Sequence, residues 1–108
     1  MADAFKVLYQ GQIGNSAATL ATVGAAKTWV IKLMTCVNTD TSARTFGLYI
    51  GGTAAANQVT SNAISLPASG GYWEWNPSGL TLETGQTIAG IASVASKLTL
   101  TVYGDEVS

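Results

Sequence analysis

Acid–base chemistry in this sequence would have to run on six carboxylates, Asp3, Asp40, Glu74, Glu83, Asp105 and Glu106, because the chain contains no histidine. Histidine is the side chain that most often moves protons near neutral pH. Without it neither a Ser-His-Asp nor a Cys-His arrangement can be built, and nearly all zinc sites are excluded too. A pair of carboxylates can still hydrolyse a glycosidic bond. Only Asp105 and Glu106 are adjacent, and both fall in what reads as a polar, solvated C-terminal tail, while Glu74 and Glu83 are separated by a loop. No catalytic residue is assigned, and the expectation is a protein that is not an enzyme and holds no cofactor.

Other ligand-binding patterns are weak. Gly51-Gly52 and Gly70-Gly71 match neither GxGxxG nor GxxxxGK followed by Ser or Thr, so they read as turn glycines rather than phosphate cradles. Calcium needs several oxygens at short spacing. Asn38, Asp40 and Thr41 supply some, but in the pattern of no known loop. No metal site is assigned.

One step has functional character: Tyr72-Trp73-Glu74-Trp75. In a strand Trp73 and Trp75 share one face while Tyr72 and Glu74 share the other. Three uses fit these residues: packing in a sheet or core, a subunit interface anchored by aromatics, and a platform that stacks a glycan. Together with Trp29, they form the candidate set for an interface or glycan platform: Trp29, Tyr72, Trp73 and Trp75.

The elements that would position these residues are short strands. Apolar runs at Phe5–Tyr9, Leu20–Val23, Trp29–Val37, Thr45–Ile50, Val59–Leu66, Thr87–Val94 and Lys97–Tyr103 alternate with turn signals such as Gly14-Asn15-Ser16, Asn38-Thr39-Asp40-Thr41-Ser42, Asn76-Pro77-Ser78-Gly79 and Glu83-Thr84-Gly85-Gln86. Residues 53–58, rich in alanine, read as a loop or one helical turn. Thr45–Ile50 points Phe46, Leu48 and Ile50 inward, and the last strand points Leu98, Leu100 and Val102 inward with Lys97, Thr99, Thr101 and Tyr103 outward. In Trp29–Val37, Trp29, Ile31, Leu33 and Val37 alternate with Val30, Met34 and Cys36. That strand is apolar on both faces, which predicts a central position covered on both sides, by the opposite sheet or by a neighbouring subunit.

No window shows a helical period, and fourteen threonines suit pleated, half-buried surfaces. The fold predicted is all-β, an antiparallel β-sandwich of jelly-roll or Ig-like type with about eight short strands, forming a single domain over residues 1–108.

Composition points to protein–protein contact. The chain has 108 residues, 47% hydrophobic and only 10% charged, with a formal net charge of -1. Average domains carry about 25% charged residues, so much of this exterior is built from hydroxyls, amides and small side chains, which are far less costly to desolvate than ions. Lys6, Lys27, Lys32, Arg44 and Lys97 are scattered, which excludes the clustered basic footprint of a nucleic-acid binder and the polybasic patch of a membrane binder. The single cysteine, Cys36, excludes an internal disulfide and reads as a small buried hydrophobe. The first residues lack a basic segment followed by an apolar one, so no signal peptide is expected, and no apolar stretch reaches transmembrane length.

Four stretches together resemble a group of small virion proteins of tailed bacteriophages. They are Thr28 to Asn38 with Cys36, Thr45-Phe46-Gly47-Leu48-Tyr49-Ile50, Leu80-Thr81-Leu82-Glu83-Thr84-Gly85, and Val102-Tyr103-Gly104-Asp105-Glu106. The resemblance implies a β-sandwich or jelly-roll subunit located on the virion and made in the host bacterial cytoplasm. It further implies a capsid decoration or cement protein, often a homotrimer, whose partners are itself and the major capsid protein or another virion protein. It brings no catalytic, cofactor or metal residues, and the Trp73-Glu74-Trp75 step lies outside its pattern. Two other functions suit the same strands: a lectin-like receptor-binding module of a tail or fibre using Trp73 and Trp75, and a head–tail or baseplate connector.

Overall fold

The computed structural model describes residues 3–61, 63–77 and 80–108, with side chains from Lys6 onward. Nine strands and one short 3-10 turn make up its regular structure: β1 (Asp3–Gln12), β2 (Ala18–Thr22), β3 (Thr28–Asn38), β4 (Arg44–Ile50), the turn Ala55–Asn57, β5 (Ile64–Leu66), β6 (Tyr72–Trp75), β7 (Leu80–Glu83), β8 (Thr87–Ala92) and β9 (Leu98–Val107). The alanine-rich stretch is therefore a single helical turn. Of the described residues in Val59–Leu66, the strand takes in Ile64–Leu66, and residue 62 lies outside the described residues. Residues 78 and 79 of the turn expected at 76–79 lie outside the described residues.

The strands form two antiparallel sheets. One runs β1-β9-β3-β6, with β7 also paired to β3, and the other runs β2-β8-β4-β5. β6 pairs with the Met34–Val37 half of β3 and β7 with the Thr28–Ile31 half, so the two occupy one strand position broken in the middle. Counted this way there are eight positions. The chain crosses between the sheets at nearly every connection, which is the winding of a double-sheet jelly roll and not the order of an Ig-like sandwich.

Both sheets turn their apolar side chains inward. Phe46, Leu48 and Ile88 from one sheet meet Ile31, Met34, Cys36, Leu82, Leu100 and Val102 from the other, each 0–1% exposed. Phe46, Leu48, Leu98, Leu100 and Val102 thus face the core as their alternation predicts.

β3 corrects the expected alternation. Trp29 and Ile31 point inward, but so do Met34 and Cys36, while Val30, Leu33 and Val37 lie half-buried on the outward face. The cause is a bulge. β3 carries one extra residue, Lys32, between the partners of Gly104 and Tyr103, and β1 carries an extra residue, Leu8, between the partners of Tyr103 and Val102. An extra residue shifts the two-residue period by one, so every later side chain changes face. The bulge changes which residues form the core face, while Val30, Leu33 and Val37 keep the outward side apolar as well, and the second sheet does not cover that side.

The bulges on both neighbours of β9 flank Tyr103, and Gly104 stands next to it beside the bulge of β3. A Cβ there would run into the carbonyl oxygen of Val30, and would crowd Cα of Ile31 and Cδ1 of Leu8. Only glycine lets β9 come so close to the β3 backbone with the Leu8 side chain packed beside it.

The expected polar tail at Asp105 and Glu106 is also corrected. Both belong to β9 and are half-buried, paired with β1 on one side and β3 on the other.

Candidate interaction surface

The four aromatic candidates divide between inside and outside. Trp29, 6% exposed, points into the core and donates its indole N–H to Glu106 Oε2 at 3.0 Å. Trp73 and Trp75 face inward from the sheet edge and pack, half-buried, against the core. The Trp73 ring meets Phe46 edge to face at 5.2 Å and 75°, and Trp75 at 6.3 Å and 40°. Edge-to-face contact is a favoured aromatic geometry, so Trp73 closes one flank of the sandwich over Phe46. Tyr72 is the member that projects outward, 55% exposed. Its phenol pKa is raised, first by desolvation and then by the charges of Glu74 and Tyr103.

Tyr72 belongs to a surface that no run of sequence displays. Three successive rungs cross one half of the outward face of the five-stranded sheet, beside rungs that carry Asp105 and Glu83. The first joins Val7, Tyr103 and Leu33; the second Gln10, Thr101, Thr35 and Glu74; the third Gln12, Thr99, Val37 and Tyr72. Thr35 and Thr101 are 7% and 5% exposed although they point away from the core, because their neighbours on the rungs shield them. Gln10 Nε2 donates to Thr101 Oγ1 at 3.1 Å. Across these eleven positions Glu74 is the single formal charge, and Val7, 50% exposed, stands with Tyr72 as an exposed large apolar side chain.

Two bulges bring Val7, Leu33 and Tyr103 onto one rung. The sequence signal is Gly104, which falls just past the expected strand Lys97–Tyr103 and inside β9 in the structure, where a glycine marks a bulge or close backbone approach.

The cluster at Asn38 is structural. Asn38 is fully buried; its Nδ2 donates to the carbonyls of Ser42 (2.9 Å), Leu66 (3.2 Å) and Pro67 (3.1 Å), while its Oδ1 accepts from the Asp40 N–H at 2.9 Å. Asp40 accepts from the Thr41 N–H on Oδ1 and from Arg44 Nε on Oδ2, both at 2.7 Å. The Arg44 hydrogen bond, followed by that of Thr41, holds the Asp40 carboxyl below its ordinary pKa. These oxygens are committed to the loop itself. Among the described residues no group of three or more His, Cys, Asp or Glu gathers to hold a metal.

Cys36 is fully buried, and burial pushes its thiol up to about 12. Among the described residues no helix is long and apolar enough to cross a membrane.

No protein-family model matches the chain, nor does any curated protein sequence. Among solved structures it is similar to the coat protein in the tobacco streak virus coat protein dimer, with a TM-score of 0.51 and 14% identity over 98% of this chain and 85% of that one. It is also similar to a chain of Bacillus endospore appendages, described as a novel family of disulfide-linked pili (TM-score 0.49, 14% identity, 99% and 87% covered). A third likeness is to a chain of infectious bursal disease virus, Gx strain (TM-score 0.48, 12% identity, 98% of this chain and 32% of that one). At this identity the likeness to the coat protein is one of fold.

Proposed function

We propose that this chain is a structural subunit of a virus particle, a bacteriophage capsid decoration or cement protein that stabilises the head through protein–protein contacts. The observation that carries the reading is one half of the outward face of the five-stranded sheet, where three successive rungs of apolar, hydroxyl and amide side chains carry one formal charge, Glu74, while Asp105 and Glu83 lie on the other half. Such a face can be desolvated without stripping ions of water. Contacts made by it depend little on salt, unlike charge-steered ones. The jelly-roll winding supports the same reading, since it is a fold of capsid domains, as does the likeness of fold to a viral coat protein.

A subunit of this size can bury on the order of 1,000 Å² in contacts with copies of itself and with the shell. Linked copies then hold by avidity, because each engages its own site on a repeating lattice. The homotrimer implied by the sequence resemblance would place equivalent faces around a local symmetry axis of the shell.

The test is cosedimentation of the purified protein with empty capsids of the same virus, followed by gold-labelled antibody on intact virions. Saturable binding at a fixed ratio to coat subunits, unchanged by added salt, is expected. Label confined to the tail would replace the cement role by that of a connector. Protein that stays in the supernatant and is missing from virions would sink the proposal.

A further inference from the structure

The two sheets have four edges, and three of them are blunted. β5 has three residues and β2 has five. The β6–β7 edge is interrupted in its middle and carries Glu74 and Glu83. Short strands, breaks and charges are the devices by which sheets avoid adding another strand.

β1 is different. It runs for ten residues at the outside of its sheet, paired among the described residues with β9 alone. Its two charges are Asp3 at its first position and Lys6, whose ammonium is drawn back onto β9 by Glu106 at 2.8 Å. Val7 stands half-exposed in the middle of the strand. The bulge at Leu8 bends the edge, but nothing in the described residues covers it.

We propose that two copies of this chain pair edge to edge through β1, antiparallel about a two-fold axis near Val7, so that their five-stranded sheets become continuous. An antiparallel partner of identical sequence satisfies the free backbone groups of both strands at once. A central segment with one internally paired charge, in a chain of net charge -1, brings little repulsion to the seam.

At about 3.3 Å per residue, ten residues give a seam roughly 33 Å long, burying on the order of 400 Å² a side. That is about half a standard interface, so the pairing is concentration-dependent. The inference goes beyond the virion reading and needs no property of a shell. In a trimer the same seam would join one ring to the next.

The experiment is mass in solution by sedimentation equilibrium, from about 1 to about 200 μM, the range in which so small an interface populates. Wild type is expected to shift toward twice its dilute mass. Val7→Lys should hold the dilute mass throughout, and Tyr72→Lys, at the far end of the same face, should behave as wild type. Alternate amides of β1 should exchange slowly only at high concentration. Wild type that never doubles, Val7→Lys that still doubles, a Tyr72→Lys variant that fails to double, or β1 amides that exchange at the same rate throughout would each overturn the pairing. Capsid cosedimentation is a separate readout. A chain that pairs but ignores capsids upholds the seam and removes the virion role, and one that binds capsids unpaired does the reverse.

Discussion

The indole N–H of Trp29 donates to Glu106 Oε2 at 3.0 Å, and these two residues sit directly opposite each other on β3 and β9. The other oxygen of the same carboxylate takes the Lys6 ammonium at 2.8 Å. One side chain thus ties β9 to both of its neighbours in the sheet.

That arrangement sets a pH dependence. The hydrogen bond from Lys6, then that from Trp29, holds the Glu106 carboxyl below its ordinary pKa. A group whose folded pKa is depressed contributes stability above its unfolded value, about 4.3 for a glutamate, and loses it as pH falls through the folded one. Thermal unfolding should therefore show a melting temperature that drops below about pH 4. Glu106→Gln should drop less steeply over the same range, the remaining slope coming from groups such as Asp40. Equal slopes in the two proteins would refute the assignment.

Asn38 should be among the most sensitive polar positions. Replacing it with alanine strands the carbonyls of Leu66 and Pro67 and the N–H of Asp40. A buried polar group left unpaired costs about 1–3 kcal/mol, so Asn38→Ala should lower unfolding free energy by about 3 kcal/mol in urea titrations. A loss within the ordinary surface range of about 0.5 kcal/mol would show that the loop holds without it.

Gly104→Ala tests the close approach of β9 to β3 beside the bulges. The new methyl is forced against the Val30 carbonyl and Leu8, and overpacking of this kind costs about 1–3 kcal/mol. Gly14→Ala is the matched control, since a Cβ there meets nothing within 4 Å, and its effect should stay within about 0.5 kcal/mol. Similar stabilities for the two variants would contradict the close approach.

Phe46 and Trp73 should behave as one unit. Phe46→Ala removes a fully buried ring and should cost about 3–5 kcal/mol, and it should shift Trp73 emission as the indole loses its edge-to-face partner. The double variant with Trp73→Ala should cost less than the sum of the two single changes, by about 0.5–1.5 kcal/mol. Strict additivity would mean that the two rings do not support each other.

Cys36 offers a probe of opening. With the thiol buried and its ionisation pushed up to about 12, a thiol-specific reagent should react with the native protein only at the rate of unfolding. Prompt labelling under native conditions would place Cys36 nearer the surface than the fold does.

How far the sequence reveals this molecule can be judged residue by residue. The closing strand was legible because Leu98, Leu100 and Val102 alternate without interruption, and burial follows that period. β3 was half legible. Its apolar content marked a central strand, but Lys32 inserts a bulge, and a shift of one residue cannot be read from hydrophobicity when both faces are apolar. Asp105 and Glu106 looked like a tail because two adjacent carboxylates signal solvent; their place in β9 depends on Trp29 and Lys6, which lie far away in sequence. The outward face of the larger sheet was hidden for the same reason, since its rungs join residues from β1, β3, β6 and β9 and exist only once the register is set.

The break between β6 and β7 has a consequence for growth. A sheet open at both borders can add copies without limit and become a filament. Here one border is cut in two and the other is whole, which gives the molecule a valence of one along that direction. Joining through β1 therefore ends with the second copy, and the geometry that allows a partner also stops a fibre.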